Sequence, residues 1–354
     1  MWSWHICPSD GTFDHGETGK GQNGIALILA VVSVFLLTVA VLQTRAGVNL
    51  AEEIVVSGAQ EMQALYMARS GLALVSAALG EDETQVDSFQ DDWAAANDKG
   101  AVPIAEVGWA VGKVSDEEGK FNVLDLVNED GESDDYTDFA AQRLFDLLVE
   151  LGLGESRAEE IVDSLIDWMD SDGTVTGSGA ENLHYSSLKD PYACPNDLPA
   201  SVDELSLVKG IGAVLLYQGE AEVPPLIDFI TVYGDKKPGD RFRRVNLNTA
   251  PIQVIASLIP DMTLELAEEI AASRDGEPFN SAAEIKDVPG FPDEMYNENV
   301  AGFPDDISLA VLIDVSSSYF SARITGETTA ASSRAYGVFQ RKGQSVELVY
   351  YRGF

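Results

Sequence analysis

An uncharged apolar run near the start of the chain is the feature that most constrains its fold. Residues 25–42 contain no charged side chain, and as an α-helix they would extend about 27 Å at roughly 1.5 Å per residue, enough to cross the hydrocarbon core of a bilayer. A secretory signal has a basic start and a small-residue cleavage site after a shorter apolar region. Here the preceding leader has three acidic residues against Lys20. The run therefore predicts a membrane anchor rather than an ordinary secretory signal.

The helix is predicted to continue beyond the apolar run. Apolar side chains recur at spacings of three and four residues at Leu65, Ala68, Leu72, Val75 and Leu79. This spacing places them in one stripe along a helix, which can pack against another layer of the fold. We therefore expect one helix to about residue 79, apolar in its first half and amphipathic in its second.

Composition excludes several classes of function. The chain has 59 acidic and 22 basic residues, a formal net charge of −37, which repels nucleic acid and anionic lipid and suits divalent cations, basic partners or a saline habitat. Two of the three histidines precede the apolar run, which leaves His184 for acid–base chemistry. No nucleophile elbow, P-loop or Cys/His metal motif occurs. We therefore expect a protein that is not an enzyme.

The two cysteines provide no disulfide framework. Cys7 and Cys194 lie on opposite sides of the apolar run, and a membrane would separate them. After removal of the leader Cys194 would be an unpaired thiol, which we expect to be a buried structural residue.

A polar leader ending in glycine, a hydrophobic half-helix and an amphipathic half-helix resemble the start of type IV pilin superfamily members. The resemblance implies that a prepilin peptidase cuts between Gly24 and Ile25, with methylation, and leaves a single-pass inner-membrane anchor with the globular part in the periplasm. The fifth residue after that cut is Leu29, where most pilins have a glutamate that pairs with a neighbouring amino terminus in the membrane. The segment GIALILAVVSVFLLTVAVLQTR lacks this glutamate, and in this respect it resembles the minor pseudopilin K family of type II secretion systems.

Strand patterns at both ends of the globular part predict a pilin-like sheet. Residues 105–123 alternate around Trp109 and Val114, turn at an acidic glycine-containing loop and resume at Phe121, which predicts a hairpin. Three later segments predict an antiparallel meander: residues 318–325, 333–341 and 345–352. About five strands would then pack on the long helix, a fold of the α+β class.

The segment between these strands predicts a large inserted α-helical domain. Helical apolar spacing occurs at residues 139–151, 156–168, 249–258 and 264–272. The expected organisation is a leader (1–24), a transmembrane half-helix (25–45), the first part of a pilin-like domain (46–125), the inserted domain (126–315) and the C-terminal strands (316–354). An insertion of this size is a further resemblance to the K subunit.

An acidic loop within the insertion, DWMDSDGTVTGSGAENLHY at residues 167–185, is a candidate metal site. If Asp170 is position one, Asp172 is three and Glu181 is twelve, with hydroxyl residues at five and nine. This is the oxygen spacing with which a short loop can surround calcium. Val175 occupies position six, where the helix–loop–helix calcium motif has glycine. A solvated acidic loop therefore remains the alternative.

The resemblance to the K family adds to the case for this metal site. A D-W-x-D-x-D run followed by G-A-E and a tyrosine is similar to the inserted domain of that family, which binds calcium. It implies calcium as the cofactor, with Asp170, Asp172 and Glu181 as ligands and with Asp167 and Asp203 as further candidates.

Two other segments of the insertion resemble helix-hairpin-helix modules, at residues 207–216 and 245–291. The first contains Gly210-Ile211-Gly212, the type of turn whose backbone N–H groups bind phosphate in DNA-binding modules. The second lacks that turn, and residues 245–300 contain eleven acidic side chains against two basic ones. Because this charge removes the attraction on which nonspecific DNA binding depends, we interpret both as packing modules and expect no nucleic-acid partner.

The predicted function is therefore a minor pseudopilin at the tip of a type II secretion pseudopilus, which initiates filament assembly for export of folded proteins across the outer membrane. The resemblance implies four kinds of partner: other minor pseudopilins in a tip complex, the major pseudopilin, the prepilin peptidase and the inner-membrane secretion platform. Two alternatives stay open. One is a minor pilin of a type IV pilus, and the other is a membrane-anchored helix-hairpin-helix DNA receptor.

Overall fold

The computed structural model describes residues 20–82, 85–97, 100–104 and 107–354. Most of the predicted leader, residues 1–19, lies outside the described residues. The chain divides into two compact units, which meet in sequence between Gln60 and Glu61.

One very long helix precedes a mixture of shorter helices and strands in the described residues. The helices are α1 (Lys20–Glu81), α2 (Asp135–Glu150), α3 (Glu155–Met169), α4 (Asn182–Ser186), α5 (Gly212–Tyr217), α6 (Ile252–Ala256), α7 (Leu264–Gly276), α8 (Asp293–Asn297) and α9 (Leu309–Leu312). The strands are β1 (Val102–Ile104), β2 (Gly108–Asp116), β3 (Phe121–Asn122), β4 (Ile230–Thr231), β5 (Val245–Asn246), β6 (Ile313–Asp314), β7 (Tyr319–Glu327), β8 (Ser332–Lys342) and β9 (Ser345–Gly353).

The first unit contains the apolar part of α1. Within Ile25–Glu81 an 18-residue window reaches a mean hydropathy of 3.1, so this helix is long and apolar enough to cross a membrane. Its large side chains are exposed, and Leu29 exposes 61% of its surface. Continuous exposed hydrocarbon of this length is compatible with a transmembrane anchor.

The second unit is built on a five-stranded antiparallel sheet with the order β1-β2-β7-β8-β9. The predicted C-terminal meander is confirmed, because β7, β8 and β9 are consecutive neighbours. The predicted hairpin across residues 105–123 is wrong. Strand β2 lies between β1 and β7, and Phe121 of β3 pairs in parallel with Ile230 of β4 instead. Both edges of β2 are already occupied, so β3 has no place beside it.

Helix α1 covers one face of this sheet, as its predicted stripe requires. Ala68, Leu72, Val75 and Leu79 are buried and join one core cluster with side chains of β2, β7 and β8. The helix and the sheet approach closely at Gly326, where an added Cβ would lie 2.1 Å from the Ala64 carbonyl oxygen. The observed α+β fold is thus a long N-terminal helix on an antiparallel sheet, which confirms the pilin-like prediction.

The inserted segment covers the opposite face of the sheet. The chain leaves the sheet after Asp116 of β2 and returns at Tyr319 of β7, so the insertion begins closer to Asp116 than the predicted residue 126. Its own core is a second, larger cluster, to which β8 contributes Tyr336 and Val338. The predicted helices at 139–151, 156–168 and 264–272 correspond to α2, α3 and α7, whereas the one at 249–258 is reduced to the short α6.

A buried carboxylate joins the two ends of the insertion where they meet the sheet. Asp116 Oδ2 accepts hydrogen bonds from Thr249 Oγ1 at 2.6 Å, Ser317 Oγ at 2.6 Å and Asn246 Nδ2 at 3.0 Å, and burial raises the pKa of Asp116. Its Oδ1 accepts from the Glu118 backbone N–H at 2.8 Å. Because these donors come from the exit, the interior and the return of the insertion, one side chain ties all three together.

We expect Gly326→Ala to lower the stability of the second unit. A methyl group there meets Ala64 O at 2.1 Å and Ala68 N at 2.3 Å, both backbone atoms of α1, so helix and sheet must separate, at a cost of about 1–3 kcal/mol. The measurement is thermal unfolding of the full chain in detergent, where we expect the midpoint to fall by several degrees. Gly276→Ala is the matched control, because nothing lies within 4 Å of its added Cβ. Equal midpoints for the two variants would contradict the close approach.

Candidate metal centre

Three carboxylates from the acidic loop and the preceding helix converge at one point. Asp167 lies in the last turn of α3, Asp170 follows the end of that helix, and Glu181 caps the start of α4. All three residues are buried, and one oxygen from each lies within 4.8 Å of the others. The loop therefore folds back so that its first and last residues meet beside the helix.

One oxygen in each of these carboxylates has no hydrogen-bond partner among the described residues. These atoms are Asp167 Oδ2, Asp170 Oδ1 and Glu181 Oε1. Burial raises the pKa of all three groups, and with the neighbouring negative charges it raises the pKa of Asp170 to about 6. Buried polar atoms without partners are costly, so the arrangement is one that a cation would stabilise.

The loop is held against α3 by its own backbone. Asp163 and Asp167 lie one helical turn apart, so both face the loop. The Ser178 N–H donates to Asp163 Oδ2 at 2.6 Å, and the Thr176 N–H donates to Asp167 Oδ1 at 2.8 Å. Asp167 thus uses one oxygen to position the loop and leaves the other directed to the carboxylate cluster.

Gly179 allows the loop to pass directly over the cluster. A Cβ added there would lie 2.2 Å from Asp167 Oδ2, the oxygen that lacks a partner, and 2.8 Å from two backbone carbonyl oxygens. Any side chain at this position would occupy the space beside that oxygen.

The donor set fits a hard divalent cation. Calcium takes oxygen ligands at about 2.3–2.6 Å, so two oxygens that share one ion are separated by at most about 5 Å. The limit of 4.8 Å between the carboxylate oxygens agrees with this geometry. Cys194 is next to the cluster, with its Sγ 3.5 Å from the Asp167 carbonyl oxygen, but burial raises the pKa of this thiol to about 11. It is therefore a protonated, half-buried thiol rather than a thiolate ligand.

The structure brings together only part of the predicted ligand set. Asp170, Glu181 and Asp167 form the cluster. Asp172 is exposed, and its Oδ1 accepts a hydrogen bond from the Thr174 N–H at 2.6 Å. Its charge is close enough to raise the pKa of both Asp170 and Glu181, but it does not join the three converging oxygens.

Asp203 has a different role from the predicted one. Its two carboxylate oxygens accept hydrogen bonds from Tyr217 Oη, from Tyr350 Oη at 2.7 Å and from Arg352 at 2.5 Å. Two of these partners belong to β9, so Asp203 fastens the insertion to the edge of the sheet. The hydrogen bonds and the arginine lower the pKa of Asp203 below its usual value despite partial burial. Its assignment as a metal ligand is corrected accordingly.

Sequence reasoning did not identify two residues that shape the site. Asp163 could have been found from its i, i+4 spacing to Asp167. Lys209 could not, because it is distant in sequence. Its Nζ donates to the carbonyl oxygens of Ser178 at 2.7 Å and Gly179 at 3.2 Å, and it pairs with Glu160 at 2.9 Å.

This lysine also explains the first helix-hairpin-helix-like turn. Gly210 and Gly212 both have positive φ, at 87° and 64°, the backbone form expected of a Gly-apolar-Gly turn. The adjacent Lys209 binds the acidic loop instead of projecting freely. The turn therefore supports the acidic loop, in agreement with its interpretation as a packing module.

The insertion contains a second copy of this hairpin. Six-residue 3₁₀ helices occur at Val202–Leu207 and Ala282–Asp287. Each is followed by a turn in which the N–H of Ile211 or Phe291 donates three residues back, at 3.2 Å and 3.1 Å, and then by α5 or α8. The two copies have the same local architecture although only the first contains Gly-apolar-Gly.

Comparison with known proteins identifies relatives along nearly the whole chain. Two family models, each described as type II secretion system protein K, match residues 119–218 and 245–302. The type II secretion system protein K of Aeromonas hydrophila is 28% identical over 94% of this chain and 97% of its own length. That of Pseudomonas aeruginosa is 27% identical over 74% of this chain and 75% of its own length.

A solved structure shares the fold. In the crystal structure of the GspK-GspI-GspJ complex from the type 2 secretion system of enterotoxigenic Escherichia coli, one chain superposes with a TM-score of 0.59 at 19% identity, over 88% of this chain and 99% of that one. The fold, the family matches within the insertion and the full-length relatives agree with one another. The chain belongs to the protein K family of type II secretion systems, a family of minor pseudopilins.

Proposed function

We propose that this minor pseudopilin is the tip subunit of a type II secretion pseudopilus and initiates its assembly together with other minor pseudopilins. The observation that carries the proposal is the large segment inserted between β2 and β7, which covers the sheet face opposite α1 and makes the subunit much bulkier than a bare helix and sheet. The solved relative was crystallised with GspI and GspJ, which supports other minor pseudopilins as partners.

The membrane segment supports the same position. In the proposed pathway a prepilin peptidase cuts between Gly24 and Ile25, the anchor stays in the inner membrane and the second unit lies in the periplasm. Leu29 then occupies the place where a pilin glutamate pairs with the amino terminus of the subunit ahead. A tip subunit has no subunit ahead of it, so an apolar residue avoids the cost of an unpaired charge in lipid, which amounts to at least a few kcal/mol. The major pseudopilin and the secretion platform are the further partners of this role.

We propose, in addition, that Asp167, Asp170 and Glu181 bind one calcium ion. Their three oxygens without partners support the proposal. The ion would neutralise carboxylates that otherwise repel one another, while Asp163 and Lys209 hold the loop from outside the cluster. The expected benefit is a rigid inserted domain, because both ends of the loop would be fixed to α3.

The tip position can be tested at residue 29. We expect Leu29→Glu to reduce recovery of the other minor pseudopilins with this subunit from detergent-solubilised membranes by about fivefold or more, because the new carboxylate has no partner in the membrane. Leu29→Val keeps an apolar side chain and should leave recovery unchanged. In immunogold images of isolated pseudopili, antibody against the second unit should mark one end. Label along the shaft, or increased incorporation of Leu29→Glu, would contradict the tip assignment.

The calcium site can be tested by thermal unfolding of the full chain in detergent. We expect the midpoint to be several degrees higher with calcium than with chelator, and Asp170→Asn or Glu181→Gln to abolish this difference. The control Asp190→Asn alters an exposed aspartate and should retain it. Equal midpoints with calcium and chelator in the wild-type protein would remove the metal assignment.

In the absence of metal, we expect Asp170→Asn to preserve or raise the stability of the protein, although the same substitution abolishes stabilisation by calcium. The folded-state pKa of Asp170 is raised to about 6 from 3.8, so the folded state binds more protons than the unfolded state between these values. Stability of the metal-free protein should therefore fall as pH rises from about 4 to 6. At pH 7.5 in chelator, Asp170→Asn should be as stable as the wild type or more stable, because it removes a repelling charge. A large destabilisation would show that the carboxylate is structural rather than a ligand.

A further inference from the structure

A cavity between the sheet and the insertion concentrates positive charge in a strongly acidic protein. Its volume is about 580 Å³, and its charged lining residues are Arg323, Arg334, Arg352 and Asp203. Phe354, the last residue, also lines the cavity, so three arginines face Asp203 and one terminal carboxylate, and the lining remains net positive in a chain with a net charge of −37. We call it the arginine cavity.

The strand register brings the three arginines together. Tyr336 of β8 lies opposite Arg323 of β7 on one side and Arg352 of β9 on the other. Arg334 is two residues from Tyr336 on the same strand, so its side chain is on the same face, diagonal to both arginines. This is the face opposite α1, since Tyr336 packs into the core of the insertion.

The three arginines differ in whether they form ion pairs within the protein. Arg352 binds Asp203 at 2.5 Å, and Arg323 has a longer contact with Asp228 at 3.3 Å. No described residue forms an ion pair or hydrogen bond with the guanidinium of Arg334, which is exposed and lines the cavity. One guanidinium is thus free to bind an anion, with a second only weakly paired beside it.

The cavity also has an apolar side. Ile227 from the insertion and Phe354, which follows β9, line it with apolar side chains. Arginine forks recognise carboxylates through paired hydrogen bonds, and the apolar surface would bury a neighbouring aliphatic or aromatic group. A volume of about 580 Å³ is in the range of sites that hold several side chains or a small ligand.

We propose that the arginine cavity is a binding site for an acidic peptide segment of a partner protein, with a carboxylate on Arg334 and an adjacent apolar side chain on Ile227 and Phe354. Charge complementarity selects this occupant. A nucleic-acid backbone would extend across a surface with a net charge of −37, which repels it, whereas a short peptide places its charge only at the arginines. The site is independent of the tip role and of the carboxylate cluster.

The test is fluorescence polarisation with the full chain in detergent at low salt. The probe is a labelled hexapeptide of alternating glutamate and leucine, and its comparison is the same peptide with glutamine in place of glutamate. We expect the acidic peptide to bind at least about tenfold more tightly than its glutamine counterpart, with affinity that falls as salt increases. Wild-type protein that binds neither peptide at millimolar concentration would overturn the proposal.

Two variants separate the cavity from the general surface. Arg334→Gln should weaken binding of the acidic peptide about tenfold, and Ser332→Phe should do the same by filling the cavity without a change in charge, since Ser332 also lines it. Arg241→Gln is the matched control, because Arg241 is exposed and stacks on Tyr136, outside the cavity. Both cavity positions are exposed, so thermal midpoints should be unchanged.

Two outcomes would contradict the assignment. Equal loss of binding in Arg241→Gln and Arg334→Gln would show attraction to the surface as a whole. Displacement of the peptide by equimolar inorganic phosphate, without any effect of Ser332→Phe, would show a simple anion site and overturn the peptide assignment.

Discussion

The fold depends on closing a long insertion at the point where it leaves the sheet. Strands β2 and β7 are direct neighbours, so the chain must leave after Asp116 and return to the same place. Asp116 meets this requirement by accepting hydrogen bonds from Asn246, Thr249 and Ser317. The Glu117 N–H donates to the Tyr319 carbonyl oxygen at 2.9 Å and continues the pairing past the strand end. Because of this closure, helix α1 and the inserted segment can pack on opposite faces of the same sheet.

Burial has opposite consequences for two groups of carboxylates in this chain. Asp116 is buried, but donors surround it, so it behaves as a structural element. Asp167, Asp170 and Glu181 are also buried, but each retains an oxygen without a partner among the described residues. A fold tolerates the first arrangement at little cost, whereas the second leaves charge repulsion and lost hydration uncompensated. That difference, rather than acidity itself, distinguishes the candidate site from the rest of a chain with 59 acidic residues.

Local patterns in the sequence predicted most helices and strands. They did not predict strand pairing or side-chain partners that depend on contacts between residues distant in sequence. The stripe from Leu65 to Leu79 and the three C-terminal strands were correct because helix and strand periodicity is local. The hairpin ending at Phe121 was wrong because β2 pairs on one side with β1, which precedes it, and on the other with β7, which is about two hundred residues away in sequence. In the candidate site, loop spacing predicted Asp170 and Glu181, and the fold brings these two carboxylates together. The prediction for Asp203 rested on its acidic side chain alone. The sequence does not show that Tyr217, Tyr350 and Arg352 donate hydrogen bonds to both of its carboxylate oxygens.

The first hairpin copy connects the two sites of the inserted segment. At one end Lys209 binds the carbonyl oxygens of Ser178 and Gly179, which belong to the acidic loop. At the other end Asp203 binds Arg352, which lines the arginine cavity. Asp203 lies in the 3₁₀ helix Val202–Leu207, and Lys209 is the second residue after the end of that helix. In DNA-binding proteins such a module contacts phosphate through its glycine turn and unpaired basic side chains. Here the lysine beside the turn, Lys209, and the aspartate in the preceding helix, Asp203, are both paired within the protein, so the module makes internal contacts instead.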